Sequence, residues 1–209
     1  MQLAQLESRW KKLFIPFQSD ANLVQEIFFN LVAIYTSQQR YYHNLFHIQH
    51  VLDIVIMLEP LADHCSNVQM AAWFHDVIYD PKSQDNEEKS VEYASAALSG
   101  LGIPIEMIAR IASMILNTKN HHAPLDDIDS QILLDADLSI LGSNQLKYNA
   151  YARAIRQEYS WLSDKEYQDG RKSVLQNFLR KDKIYFTNKA YQLLELKARE
   201  NIKAELMNL

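Results

Sequence analysis

Apolar residues recur every three or four positions along most of this chain, which is the spacing of one face of an α-helix. The stretches between these periodic segments are short and polar, so the pattern indicates helices joined by brief loops. It predicts helices at about residues 1–15, 19–39, 44–58, 68–78, 86–100, 104–118, 129–141, 143–159, 163–180 and 187–209. We therefore expect one all-α domain over residues 1–209.

Residues that commonly cap helices stand at several of the predicted starts. Either Ser19 or Asp20, and likewise Asn67 and Thr187, can accept hydrogen bonds from the free backbone N–H groups of a first turn. Ser163 and Glu166 have the spacing of a capping box. The chain also has only 4 Gly and 5 Pro, which are too few for a β-sandwich with many tight turns.

The composition narrows the class of protein without naming a function. A chain of 209 residues with 48% hydrophobic and 22% charged residues can bury a sizeable core as one soluble domain. A formal net charge of -5 argues against a dedicated nucleic-acid-binding protein, although a nucleotide substrate stays compatible. A single cysteine, Cys65, excludes an intrachain disulfide and fits a reducing, cytoplasmic location. We expect no membrane span.

The first candidate for chemistry is the pair His75-Asp76, at the polar end of the apolar stretch 71–78. A buried imidazole and a buried carboxylate each need a partner, because without one they cost several kcal/mol. One divalent metal ion could satisfy both side chains. By itself this pair is also explained as a helix-end cap beside a structural histidine.

Other candidate ligands come before and after this pair. His43, His47 and His50 share one face if a helix includes all three, although a solvated histidine face is equally compatible with the spacing. Asp135 and Asp137 lie in the apolar stretch 132–139, where a carboxylate needs a partner. Either acid could be the ligand and the other a structural group.

The order His, His-Asp, Asp resembles that of the HD superfamily of metal-dependent phosphohydrolases. Residues 42–47, Tyr-His-Asn-Leu-Phe-His, and residues 136–139, Ala-Asp-Leu-Ser, are similar to strings of cyclic-nucleotide phosphodiesterases. Most of the chain is closer still to small bacterial proteins that are predicted metal-dependent HD phosphohydrolases. The resemblance implies an HD-type helical bundle with a metal site between its central helices. Residues 40–142 would form the metal-site core, and residues 143–209 would pack on it.

The resemblance also implies roles for individual residues. The metal ligands would be His47, His75, Asp76 and Asp137, so the second string favours Asp137 over Asp135. His43 corresponds to the proton donor to the leaving group. For the ion itself, Mn²⁺, Fe²⁺, Mg²⁺ and Zn²⁺ all fit a mixed histidine and carboxylate set.

Some assignments stay open on the sequence. Either Asp80 or Glu87 could orient the attacking water, although Glu87 is also explained as a first-turn helix acid. Tyr79-Asp80-Pro81 stands where phosphodiesterases have a further histidine that supports a second metal. His121 and His122 fall in the interval where binuclear HD proteins place extra histidines, or they form a loop pair that faces solvent.

Phosphate binding requires cationic or hydrogen-bonding groups. The candidate substrate-binding residues are Lys119, His121, Arg156 and Arg171. The two arginines are equally well explained as partners in salt bridges on helix surfaces.

The function that the sequence favours is metal-dependent hydrolysis of a nucleotide or another small phosphorylated metabolite. Two alternatives are a metal-bound sensor without catalysis and a di-iron HD-type oxygenase that uses His121 or His122. The aromatic-rich early helices could form core or a homodimer interface.

Overall fold

Residues 3–209, the part that the computed structural model describes, form ten α-helices and no strand. The helices are α1 (Leu3–Phe14), α2 (Ala21–Tyr35), α3 (Leu45–Leu58), α4 (Cys65–Phe74), α5 (Asn86–Gly100), α6 (Ile105–Thr118), α7 (Ile128–Asp137), α8 (Gln145–Glu158), α9 (Asp164–Arg180) and α10 (Asn188–Asn208). The prediction of an all-α protein is confirmed. Met1 and Gln2, which the predicted first helix includes, lie outside the described residues.

Side-chain caps fix several helix starts where the sequence predicts them. The Asp20 carboxylate accepts from two backbone N–H groups of α2, and the Thr187 hydroxyl accepts from one of α10. Ser163 and Glu166 form the complete capping box at the start of α9. These local hydrogen bonds satisfy N–H groups that have no partner within the helix, which is why the short polar residues mark the boundaries.

Two predicted boundaries differ from the structure in ways that matter for the site. The helix expected at 68–78 begins at Cys65 and ends at Phe74, so Asn67 is buried inside it and caps nothing. His75 and Asp76 therefore follow the helix instead of lying within it. The helix expected at 129–141 is α-helical only to Asp137 and continues as a 3₁₀ turn, Leu138–Gly142.

The larger of two hydrophobic cores is formed by α1 to α7. Trp10 and Trp73 meet edge to face at its centre, with ring centroids 5.4 Å apart, and Phe28 packs against Trp73 in the same way. The Tyr35 hydroxyl donates to the backbone carbonyl of Trp73 at 2.8 Å, which satisfies its polar group inside the core. This core holds α3 and α4 rigidly side by side, and both lead to the site.

The smaller core lies at the C-terminal side and is organised around the 3₁₀ turn Leu138–Gly142. Leu138 and Leu141 pack there against buried side chains of α8, α9 and α10. The Asn201 amide donates to the Leu141 carbonyl at 2.8 Å, so α10 is bonded to the backbone of the turn. The turn thus connects α7, which belongs to the larger core, with the C-terminal helices.

Asp135 belongs to this connection. Its two carboxylate oxygens accept from the backbone N–H groups of Phe186 at 2.7 Å and Thr187 at 2.8 Å. The side chain therefore ties α7 to the start of α10. The sequence left open which of Asp135 and Asp137 is the candidate metal ligand and which is a structural group. The contacts of Asp135 with the backbone give it the structural role.

Within residues 3–209, no helix is both long and apolar enough to cross a lipid bilayer.

We predict that Gly142→Ala destabilises the protein by about 1–3 kcal/mol because it overpacks the junction between the turn and α10. A Cβ at this position would lie 2.6 Å from Leu194 Cβ and 2.8 Å from the Leu194 carbonyl oxygen, and backbone atoms cannot easily move away. Gly170→Ala is the matched control, since a Cβ there meets nothing within 4 Å and alanine favours helix. Urea unfolding of both variants checks this, and equal stability of the two would contradict it.

We also predict that Asp135→Asn costs about 1–3 kcal/mol of folding stability. The amide keeps one acceptor but turns its NH₂ group toward one of the two backbone N–H groups that the carboxylate now satisfies. Thermal and urea unfolding measure the loss. Asp169→Asn, at an exposed position of α9, is the control that should change little.

Candidate metal centre

Three helix ends bring the predicted ligands together. The Asn44 side chain caps α3 by accepting from Phe46 N at 2.9 Å and His47 N at 3.4 Å, which places His47 in the first turn. His75 and Asp76 directly follow α4, and Asp137 is the last residue of α7. His47 and His75 are only 4% and 2% exposed, so their imidazoles lie inside the protein.

The four side chains meet through one atom each. The two imidazole Nε2 atoms of His47 and His75 are 3.2 Å apart. Asp76 Oδ2 lies 3.4 Å from His47 Nε2 and 3.1 Å from His75 Nε2. Asp137 Oδ1 lies 3.3 Å and 3.6 Å from the same two nitrogens. Each carboxylate therefore contacts both imidazoles.

The separations among His47, His75 and Asp137 are those of neighbouring ligands around a single small cation. Two ligands bound at about 2.1 Å are about 3.0 Å apart at a right angle and about 3.4 Å apart at the tetrahedral angle. Suitable ligand atoms of His47, His75 and Asp137 all lie within 4.8 Å of one another. This group can hold a metal ion, and its nitrogen and oxygen donors suit a divalent one.

The imidazole of His75 is oriented for such a role. Its Nδ1 lies 2.9 Å from the Ala72 carbonyl oxygen, so Nδ1 carries the proton and the lone pair of Nε2 faces the cluster in the neutral ring. The Nδ1 atom of His47 is buried without a hydrogen-bond partner among the described residues. With both rings neutral, a cation between the nitrogens removes the repulsion of their converging lone pairs.

The charges of the cluster are strongly coupled. Burial lowers the pKa of His47 and of His75, but the carboxylates of Asp76 and Asp137 outweigh burial and raise both pKa values. Burial raises the pKa of Asp76 and of Asp137, but neighbouring histidines, His75 foremost for Asp76 and His121 for Asp137, lower both pKa values well below the usual range. Both acids are therefore carboxylates at neutral pH, as ligands must be.

His43 lies beside this cluster, just before α3, and its side chain is 19% exposed. Its Nδ1 is 2.7 Å from Glu158 Oε2, and the Tyr79 ring stacks on its imidazole with centroids 4.0 Å apart. Glu158 also accepts from the backbone N–H groups of Tyr42 and His43 and from the Tyr79 hydroxyl. The imidazole of His43 is thus held in one orientation, which leaves Nε2 for a ligand.

A guanidinium fixes the backbone that carries these residues. Arg40 donates to the carbonyl oxygens of His43 at 3.0 Å, Asp76 at 2.6 Å and Val77 at 2.8 Å. These bonds join the segment before α3 to the segment after α4. The relative positions of His43 and Asp76 therefore depend on one arginine.

The cluster opens into a cavity of about 430 Å³ between the larger core and the C-terminal helices. Of the residues that the sequence proposed for catalysis or substrate binding, those that line it are His43, Glu87, Lys119, His121 and Arg171. Asp80 and Arg156 do not line it. Asp80 is exposed and its carboxylate accepts from Lys82 N in a turn, which corrects the expectation that it faces the metal.

The candidate phosphate-binding cations all have partners. Arg156 donates to the carbonyl oxygens of Tyr159 and Leu162 and to Asp164, so it stabilises the end of α8 outside the cavity. Arg171 binds both oxygens of Glu205, and Lys119 pairs with Glu88. The alternative of a salt bridge on a helix surface therefore describes Arg156, whereas the pair of Arg171 with Glu205 is buried.

The remaining histidines divide between the site and the surface. His121 Nε2 lies 3.5 Å from Asp137 Oδ2, and its backbone has a left-handed φ of 45°, which is uncommon for a residue other than glycine. His122 is exposed. His50 contacts Ser139 Oγ at 2.9 Å instead of the four clustered side chains. His43 precedes α3, which begins at Leu45, so the three histidines do not share one helix.

No protein family, curated protein or solved structure matches this chain. The resemblance to HD phosphohydrolases therefore stays a prediction.

Sequence reasoning missed Glu158 and Arg40, the two residues that position His43. Glu158 lies 115 positions after His43 and shows no local pattern that distinguishes it from a surface helix acid. Arg40 stands in a polar stretch between two helices, where a charged residue is ordinary. No regular spacing in the sequence relates either residue to the site, because each makes contacts with segments that only the fold brings together.

We predict that the metal-free protein binds a divalent ion such as Mn²⁺ or Zn²⁺ and that His75→Ala abolishes this binding. Isothermal titration and metal analysis after dialysis measure it, and circular dichroism checks that the variant is folded. His122→Ala is the control that keeps the ion. Equal loss of metal binding in His75→Ala and His122→Ala would contradict this assignment.

The affinity of the wild-type protein for the ion should fall as the pH is lowered through the raised pKa values of His47 and His75, because protons compete for their nitrogens.

Proposed function

We propose that this protein is a metal-dependent phosphohydrolase of the HD type that acts on a small phosphorylated metabolite. The observation that supports this most is a histidine, His43, held by a buried carboxylate in the wall of the same cavity into which the His47, His75 and Asp137 group opens. A sensor that only bound metal would not need an oriented acid beside the ion.

Asp76 completes the ligand set in this proposal, because its carboxylate contacts both imidazoles. A divalent ion bound there supplies positive charge to a phosphoryl oxygen and lowers the pKa of a water. Because Asp76 and Asp137 line the cavity, an ion held by these side chains would be within reach of a ligand there. A closed structural zinc site would instead use all positions, commonly with thiolates, and the only cysteine, Cys65, packs elsewhere against Gln69.

His43 donates a proton to the leaving oxygen. Its Nδ1 proton is bonded to Glu158, so the form that can donate to a substrate is the imidazolium, which carries a second proton on Nε2. Burial raises the pKa of Glu158, but its hydrogen bonds with His43 and with backbone N–H groups lower it, so the group is a carboxylate near neutrality. Glu158 is a positioning residue that fixes the ring and its tautomer.

Glu87 is the acid that orients the attacking water in this proposal. It lines the cavity in the first turn of α5, whereas the other candidate, Asp80, is exposed outside it. His121 lies 3.5 Å from the second oxygen of Asp137, and in this proposal it binds a phosphoryl oxygen or supports a second ion.

We predict that the protein releases phosphate from a small phosphoester in the presence of Mn²⁺ and that Asp76→Ala abolishes this release. The variant loses a carboxylate that contacts both metal-binding imidazoles, so bound metal should fall in parallel. A colorimetric phosphate assay over nucleotides and simple phosphomonoesters, with wild type and variant side by side, measures it. Bound metal without turnover of any ester would favour the sensor, and a coloured iron-loaded protein would favour the oxygenase.

We further predict that His43→Ala and Glu158→Gln keep the metal but lower turnover, His43→Ala by about 10²–10⁴-fold. Removing the proton donor affects the chemical step, while Glu158→Gln leaves an imidazole that is less well oriented. Steady-state kinetics and metal analysis on the same samples separate the two effects. Glu92→Gln, an exposed acid on α5, is the control. Unchanged turnover in His43→Ala would contradict the proposal that His43 is the proton donor.

A further inference from the structure

Two neighbouring tyrosines in the wall of the cavity have hydroxyl protons that no group of the described residues accepts. Tyr42 and Tyr151 both line the cavity, and their rings meet edge to face with centroids 4.7 Å apart. The Tyr42 ring also packs on the imidazole of His47, with centroids 4.8 Å apart. The pair therefore lies next to the candidate metal centre.

The hydroxyl of Tyr42 is not explained by packing. It is buried and has no hydrogen-bond partner within residues 3–209. A phenylalanine ring would make the same contacts with His43, His47 and Tyr151. A buried polar group without a partner costs free energy, so its presence in a folded protein calls for a reason. Tyr42 offers a donor that the chain itself does not use.

The Tyr42 hydroxyl is protonated and lies close to the acids of the candidate metal centre. Burial raises the pKa of Tyr42 well above its ordinary value, and the nearby hydroxyl of Tyr151 raises it further. The carboxylates of Asp137 and Asp76 act in the same direction. The backbone N–H of Tyr42 donates to Glu158 at 2.7 Å, which fixes the residue beside the cavity.

The hydroxyl of Tyr151 is a stronger donor than an isolated phenol. Its oxygen accepts from Arg171 Nη1 at 3.1 Å, and its own proton has no acceptor in the described part of the chain. The same guanidinium binds both oxygens of Glu205. A hydroxyl that accepts from a cation is polarised and donates more strongly to an anion. Arg171 can therefore act on a ligand through Tyr151.

We propose that the hydroxyls of Tyr42 and Tyr151 donate hydrogen bonds to oxygens of the phosphoryl group that binds at the candidate metal centre. Ionised phosphate accepts several such bonds, and they are stronger than bonds between neutral groups. Acidic side chains line the same cavity, so an anionic ligand needs donors as well as the metal. This inference rests on the proposed function and adds two phosphate-binding residues to it, whatever alcohol the ester carries.

Binding of inorganic phosphate to the Mn²⁺-loaded protein tests this without requiring turnover. Isothermal titration should show that Tyr42→Phe and Tyr151→Phe each weaken phosphate binding by about 10–100-fold, the loss expected for a hydrogen bond to a charged group. Each variant keeps its aromatic ring and all four candidate metal ligands. Metal analysis of the same samples should therefore show unchanged bound Mn²⁺.

Tyr185→Phe is the matched control. The Tyr185 hydroxyl donates to the Leu138 carbonyl at 3.0 Å, and this residue does not line the cavity. Its variant should lose folding stability and keep its affinity for phosphate. Tyr42→Phe should show the reverse, because the hydroxyl that it removes has no partner in the protein. Urea unfolding of the metal-free proteins measures the stabilities.

The outcomes separate this inference from the function on which it rests. If wild type binds phosphate and either Tyr42→Phe or Tyr151→Phe binds it equally well, the two-hydroxyl site is overturned and the phosphohydrolase proposal stands. A loss of stability in Tyr42→Phe with unchanged phosphate affinity would give that hydroxyl a structural role instead. Failure of the metal-loaded wild type to bind phosphate and to hydrolyse any ester would overturn both proposals.

Discussion

Two carboxylates and two imidazoles meet inside this protein, and the rest of the structure is arranged around them. Asp76 and Asp137 each approach the Nε2 atoms of His47 and His75 to within 3.1–3.6 Å. Such groups are costly to bury unless each has an opposite charge or a hydrogen-bond partner. The residues stay together because three helix ends, from α3, α4 and α7, converge on one point with the larger hydrophobic core behind them.

The surrounding polar contacts serve to hold these ends in place. Asn44 caps α3 beside His47, and Arg40 joins the backbone before α3 to the backbone after α4. Asp135 ties α7 to α10, two residues before Asp137. In each contact, a charged or amide side chain forms hydrogen bonds with backbone groups. Such bonds are directional, so they restrict the position of a helix end.

The cavity lies between two unlike surfaces. One carries acids and histidines beside the larger core, and the other, formed by α8 and α9, carries apolar and tyrosine side chains together with Arg171. Glu158, at the end of α8, reaches across to His43 and so links the two sides. The C-terminal helices therefore contribute to the chemistry of the site as well as to the shape of its pocket.

Local patterns were enough to predict the helices and most of their starts. The three- to four-residue apolar spacing and the caps Asp20, Ser163 and Thr187 act within one or two turns, so their effect is visible in the sequence itself. The same is true of His75-Asp76, since a charged pair at the end of an apolar stretch signals a need for partners. The expectation that Asn67 caps a helix was wrong, because α4 begins two residues earlier, at Cys65, and Asn67 is buried within its first turn.

Only the tertiary structure decided which polar residues share one site. It separated Asp137 from Asp135, placed Glu87 at the cavity and Asp80 outside it, and paired Arg171 with Glu205. It also brought Glu158 to His43 over a separation of 115 residues. The sequence by itself determined an all-α chain with a set of candidate ligands, because helix periodicity and capping are local. The site itself needed the fold, because hydrogen bonds and charges act through space between residues that have no fixed spacing along the chain.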